Sequence, residues 1–287
     1  SVTGVQTCAL PISLGDNLTE YIRHYLMKDG LEVKKNQVYF TLKDKINPKN
    51  ALESLQDLAK FADYYHKLTE PTREKNKLIS NCLIRLKRLD LTTVYPFLLN
   101  CYDDRIEGDL SIDEFVEVLK IIENLIIRRF VCNLPTNSIN KMFPSLYSQI
   151  KQKIEESFVE RLKNILRGKK YPRDDDFKNR LTEIDLYRST VKAEKAKLIL
   201  ESIEESFGHK EAVPFENLTI EHIMPQKLNK DWEKSLGEDL EEAYALLHTL
   251  GNLTLTGYNA ELSNYSFRSE EHTSELQSHL NLVCRLL

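Results

Sequence analysis

The chain has 287 residues, 41% hydrophobic and 29% charged, with a net charge of −4. That supplies a real core for one large or two ordinary domains, and no run approaches the ~20 apolar residues of a membrane span. The balance excludes an overall electrostatic footprint for nucleic acid, so any DNA contact must come from a local patch.

In chain order the first stretch is anomalous. Residues 2–12 and 268–278 can be encoded by DNA strings that are reverse complements over nearly their whole length. Those strings resemble a short-read sequencing adapter read on opposite strands, and 282–287 fits its continuation. Residues 1–12 and 268–287 are therefore expected to be non-native, with a longer natural protein. Cys8-Ala9-Leu10-Pro11-Ile12 is no signal peptide, lacking a basic n-region and a long apolar core. Setting these ends aside leaves Cys82, Cys101 and Cys132, widely spaced and without a Cys-x-x-Cys pair. That argues against a cysteine-rich zinc site or a disulfide scaffold and for a reducing, cytoplasmic setting.

Residues 13–166 are expected to form a helical domain. Asn17 can cap a helix to Lys28, with Gly30 just past its end. Val38, Leu42 and Ile46 line a second helix, although Val38-Tyr39-Phe40-Thr41 also suits a strand. Leu52, Leu55, Leu58, Ala59, Ala62 and Tyr65 share a face over 51–68. Further helices are expected near 78–89 and 95–101. Ser111-Ile112-Asp113-Glu114 is a capping box opening a helix to about Arg129, and a helix from about Ile139 is expected to run past Phe158 to Leu166. Residues 103–114 superficially resemble a calcium loop, but Arg105 stands where a ligand is required and the capping box accounts for the acidic end.

The charged tract 167–176 marks a boundary, and residues 167–267 are expected to form a second domain. Helices are predicted over 177–186 and 191–207, with partly helical stretches at 229–237 and 240–250. Leu218-Thr219-Ile220 and Gly251–Gly257 read as β-type runs, and Asn259–Asn264 as a helix.

The chemistry lies in Glu221-His222-Ile223-Met224-Pro225-Gln226, then Gly251-Asn252-Leu253-Thr254-Leu255-Thr256, then Asn259. Phosphodiester hydrolysis needs an activated water, a cation on the phosphate and groups that hold it in line. His222 can take the proton from water. Glu221 alternates to the other side of an extended backbone, yet a twist at the strand end can bring it to a metal. Asn259 can offer an amide oxygen to the same ion, and Asn252 can hold the histidine or the phosphate. Mg²⁺, or alternatively Mn²⁺, suits oxygen ligands. The expected fold class is mainly α with a small ββα-metal (HNH, His-Me finger) motif.

Each residue also has a bland reading. His222 can be a buried strand-end histidine, Asn252 and Asn259 can serve turns, and Glu221 can be solvated. His248 lies close in sequence and could assist, but on a helix face it reads first as structural, and Trp232 reads as a core anchor. Arg128 and Arg129 either complement a helix C-terminus or contact phosphate. Lys169 and Lys170 belong to a basic run, offset by Asp174–Asp176, that reads first as a solvated face and second as a DNA contact.

Ile220–Gln226 with Leu250–Asn264 and Phe267 closely resembles the C-terminal HNH-type nuclease domain of GmrSD-type modification-dependent (type IV) restriction endonucleases. Ile122-Glu123, Arg128-Arg129, Val131-Cys132, Pro135-Thr136-Asn137, Asn140-Lys141 and Phe143 resemble the helical segment preceding it. The resemblance implies His222 as general base, Glu221 and Asn259 beside the metal, and Asn252 as the middle asparagine. It implies DNA as substrate, including modified phage DNA, in prokaryotic defence. It also implies a nucleotide-dependent domain upstream, which would bind any nucleotide. The basic residue expected soon after Phe267 is absent. Two other readings stand beside it: a non-catalytic helical interaction or coupling module with an inactive nuclease remnant, and a homing or repair HNH nuclease without restriction.

Overall fold

The computed structural model describes residues 17–46, 51–135, 137–152, 156–169, 171–208 and 214–257, without the side chain of Glu216. It is mainly helical with one two-stranded sheet, and no helix among the described residues is long and apolar enough to cross a membrane. The chain divides into two compact units, one of 1–129 with 133–171 and one of 130–132 with 172–287.

Among the described residues the first unit holds helices only: α1 (Leu18–Met27), α2 (Val38–Lys45), α3 (Ala51–Thr69), α4 (Lys77–Arg88), α5 (Tyr95–Glu107), α6 (Ile112–Val131, its last two residues assigned to the second unit), α7 (Asn137–Lys151) and α8 (Phe158–Arg167). Local signals set its boundaries. The Asn76 side chain accepts from the Leu78 and Ile79 N–H groups, capping α4. Gly108, at φ 92°, ends α5 in a left-handed conformation that costs glycine little. Ser111 and Glu114 form the reciprocal capping box of α6, the Glu114 N–H reaching Ser111 Oγ at 3.2 Å and the Ser111 N–H reaching Glu114 Oε2 at 3.0 Å. Those bonds occupy the acidic end of the stretch that mimics a calcium loop.

Helix periodicity misleads twice here. The single helix expected from Ile139 to Leu166 is two, because Ser157 caps a new one by accepting from the Glu160 N–H. Leu52 and Leu55, expected on the buried face of α3, are 72% and 51% exposed, whereas Leu58, Ala62 and Tyr65 of the same face are buried as expected, with Phe61, Tyr64 and Leu68. That core gathers Phe97, Leu99, Phe115, Val118, Phe143 and Leu162, all fully buried. A part-buried ion pair links α4 to α6, with Arg85 donating to both carboxylate oxygens of Glu123 at 2.7–3.2 Å.

The second unit contains α9 (Asp174–Glu183), α10 (Thr190–Ser206), β1 (Thr219–His222), α11 (Lys230–Leu236), α12 (Leu240–Leu246) and β2 (Leu253–Thr256). Asp174, Asp175 and Asp176 fill the first turn of α9, where the helix dipole favours negative charge. That starts the helix ahead of the expected Phe177. Ser189 and Asn229 cap α10 and α11 through their side chains. The strands pair antiparallel, Glu221 opposite Thr254 and His222 opposite Leu253. Two four-residue strands are too short to persist alone, and α10 packs across both. Leu186, Ala196, Leu198 and Leu253 are wholly buried beneath this arrangement, with Ile220 and Trp232 nearly so. The helix expected at Asn259–Asn264 lies outside the described residues.

Truncating Leu253 leaves a cavity against the one face that orients β1. Leu253→Ala is expected to lower stability by about 2–5 kcal/mol. Urea unfolding followed by the fluorescence of Trp232, the chain's single tryptophan, measures it.

Candidate functional site

The site forms where β1 ends. Along this strand Ile220 and His222 face inward while Glu221 faces the other side. The ladder is prolonged one step beyond the strands by the Ile223 N–H donating to the Asn252 carbonyl at 3.0 Å. The Asn252 side chain then closes the corner. Its Oδ1 accepts from the Met224 N–H at 2.6 Å, and its Nδ2 donates to the Met224 carbonyl at 3.1 Å and to the Leu247 carbonyl at 2.8 Å. Both amide hydrogens and the oxygen are thus committed to backbone. The expectation that Asn252 holds the histidine or the phosphate is corrected accordingly. It holds the two chain segments that carry the histidine, and Asn alone among the short side chains offers an acceptor and two donors for this.

His222 is 6% exposed. Its Nε2 lies 3.1 Å from Nδ1 of His248, and its Nδ1 lies 3.4 Å from Nε2 of Gln226. The edge of its ring meets Tyr187 at a centroid distance of 4.6 Å and an interplanar angle of 86°. Tyr187 also stacks on His248, 6.1 Å away at 24°. Burial, and secondarily the neighbouring His248, depress the His222 pKa to about 4. The imidazole is therefore neutral at pH 7, the state in which it can accept a proton.

Of these neighbours Tyr187 was not expected, and His248 was expected to assist only as a second reading. Tyr187 belongs to no motif. It is placed by Asp185, whose Oδ1 accepts from the Tyr187 and Arg188 N–H groups at 3.2 and 3.1 Å. Burial pushes the Asp185 carboxyl up, but these backbone donors with Lys192 and Arg188 hold it below its ordinary value. His248 was read as structural on a helix face. It lies beyond the end of α12, and its carbonyl accepts from the Leu186 N–H at 2.9 Å. An Asp two residues before Tyr187, the Asx-turn signature, was the one local hint.

Glu221 is half-buried, opposite Thr254. Burial raises its carboxyl above the usual value, with the His222 backbone N–H pulling the other way. No ion pair to it occurs among the described residues, nor does any group of three or more His, Cys, Asp or Glu placed to hold a metal ion. Asn259, the second expected ligand, lies outside the described residues.

The basic candidates divide. Arg129 is 4% exposed, and its Nη2 donates to the Pro135 carbonyl at 2.7 Å and to Ser138 Oγ at 2.8 Å. Its guanidinium therefore braces the chain after α6, a structural role beside the phosphate contact that the sequence suggested. Arg128 donates to Asn124 at 3.0 Å and lies over the Tyr171 ring at 5.4 Å. Lys169 is exposed. Lys170 lies outside the described residues. In the same basic run, Lys163 pairs with Glu117 and Glu160 at 2.7 and 3.0 Å. Trp232 is buried, as a core anchor would be.

Residues 171–285 match the family model described as GmrSD restriction endonucleases, C-terminal domain. The final part of the match, 268–285, falls in the stretch read above as adapter-derived. No curated protein matches the chain.

Removing the Asn252 amide strands the N–H and carbonyl of Met224 and the carbonyl of Leu247. Asn252→Ala is expected to cost roughly 2–4 kcal/mol of stability, a few buried groups left unmatched at about 1–3 kcal/mol each and partly rehydrated. Chemical denaturation against the parent chain measures the loss. A change below about 0.5 kcal/mol would show that the clamp does not hold the corner.

Proposed function

We propose that this chain, whose residues 171–285 carry a GmrSD-type restriction endonuclease C-terminal domain, is a metal-dependent DNA endonuclease of the ββα-metal (HNH) kind, with His222 as its general base. The observation that carries the reading is a neutral histidine held at a strand end by an asparagine-clamped corner, within the segment that matches that family. A general base needs an available lone pair and a fixed direction. Burial keeps the imidazole neutral. Tyr187 and His248 fix its plane, and Pro225 stiffens the exit from β1.

Glu221 fits a hard cation. It is a half-buried carboxylate whose proton affinity burial has raised and which pairs with no cation among the described residues. Glu221 and Asn259 would hold Mg²⁺ or Mn²⁺, and when bound the ion would neutralise charge on the phosphate and the leaving oxygen. Of the basic residues, exposed Lys169 with Lys170 and Arg128 are the proposed phosphate contacts. Each is worth a modest, salt-dependent share of affinity. The proposed substrate is DNA, including modified phage DNA.

One observation favours a second reading, a non-catalytic module. His222 is nearly fully buried, with a polar neighbour at each ring nitrogen, as a purely structural histidine would be. The two readings separate in one assay. The full chain with Mg²⁺ or Mn²⁺ is given supercoiled plasmid and modified phage DNA, beside His222→Ala. The nuclease reading expects nicking that falls by roughly 10²–10⁴-fold in the variant. Equal nicking by both proteins, or none by either, would favour the module.

A further inference from the structure

The His222–His248 contact contains more information than its distance. Two imidazole nitrogens 3.1 Å apart cannot both be acceptors, so one carries the bridging proton. The other side of His222 decides which. Its Nδ1 faces the amide nitrogen of Gln226 at 3.4 Å. An amide nitrogen donates and does not accept, so with the Gln226 amide in this orientation Nδ1 is the acceptor and the His222 proton belongs on Nε2. His248 Nδ1 is then the acceptor of that proton's hydrogen bond.

His248 is built to stay in place. The carbonyl before it, on Leu247, is held by the Asn252 amide at 2.8 Å, and its own carbonyl by the Leu186 N–H at 2.9 Å. After it, Thr249 is 3% exposed, and both its N–H and its hydroxyl donate to the Leu246 carbonyl, at 3.0 and 2.8 Å. Tyr187 stacks on the ring itself. A residue pinned on both sides and across its face makes a fixed acceptor.

We propose that His248 is a positioning residue that locks His222 in the Nε2–H tautomer, leaving Nδ1 as the nitrogen that takes a proton. The catalytic half of this rests on the nuclease reading above; the tautomer does not. The Gln226 contact is long enough for water to replace it. In the step this geometry serves, water gives one proton to the Nδ1 lone pair. Its oxygen bonds to phosphorus, and the bond to the leaving oxygen breaks with its electron pair. The imidazolium formed keeps its Nε2–H on His248, the orienting third group of a nucleophile–base–orienter arrangement.

Long-range ¹H–¹⁵N NMR of the histidines in the full chain tests the lock directly. His222 is expected to show a pyridine-like Nδ1 and a pyrrole-like Nε2; the reverse pattern overturns the proposal. His248→Phe should convert this to a mixed tautomer and lower kcat for nicking by about 10–100-fold with KM little changed. His248→Asn, whose amide occupies the position of Nδ1, should recover much of that loss, whereas a merely space-filling role would favour Phe over Asn. His248→Phe with an unchanged His222 tautomer and full kcat would overturn it. If no protein in the series nicks DNA, the nuclease reading fails, while the nitrogen shifts still decide the role of His248.

Discussion

Three hydrogen bonds from the side chain of Asn252 hold the end of the small sheet together. They join the chain just after β1 to the chain just before β2. Four-residue strands gain little from their own ladder, so direction at this point must come from elsewhere. The amide supplies it by satisfying the part-buried N–H and carbonyl of Met224 and the buried carbonyl of Leu247. Because one of those groups is the Leu247 carbonyl, the same residue that positions the exit of β1 also positions His248. His222, one residue before the clamped segment, inherits its orientation from both sides.

The environment this creates explains the electrostatics. His222 is buried beside another imidazole and an aromatic ring, so its protonated form is disfavoured and it stays neutral well below pH 7. Glu221 alternates to the opposite side of the strand and is itself driven towards the protonated form by burial. Two neighbours in sequence thus face different surroundings, and burial disfavours the charged form of each: the imidazolium of His222 and the carboxylate of Glu221.

Much of this was legible in the sequence where the signal is local. The capping box of Ser111 and Glu114 is formed as read, although Asn17, read as a cap, makes no side-chain cap bond, and the alternation around Glu221 and Leu253 marks the two strands. The failures are equally physical. The apolar period carries through from α7 to α8, and only the Ser157 cap betrays the break. Leu52 and Leu55 keep helical spacing but reach no core. Arg129 is indistinguishable from Arg128 in sequence, yet one is buried against backbone and the other lies beside an aromatic ring. His248 and Tyr187 meet His222 across 26 and 35 residues of chain, a juxtaposition that no periodicity encodes. The role of Asn252 was hidden for the same reason: Gly251-Asn252 announces a turn, but its partners at Met224 and Leu247 are fixed only by the fold.

The central claim is that the imidazole of His222 takes the proton from water. The most direct measurement replaces that ring from solution. His222→Gly leaves a space the size of the missing side chain, and DNA nicking by this variant is followed as imidazole is added in the presence of Mg²⁺ or Mn²⁺. The account predicts that nicking is nearly lost without imidazole and returns, saturably, as imidazole rises. Nicking by His222→Gly at the parent rate without imidazole would contradict it.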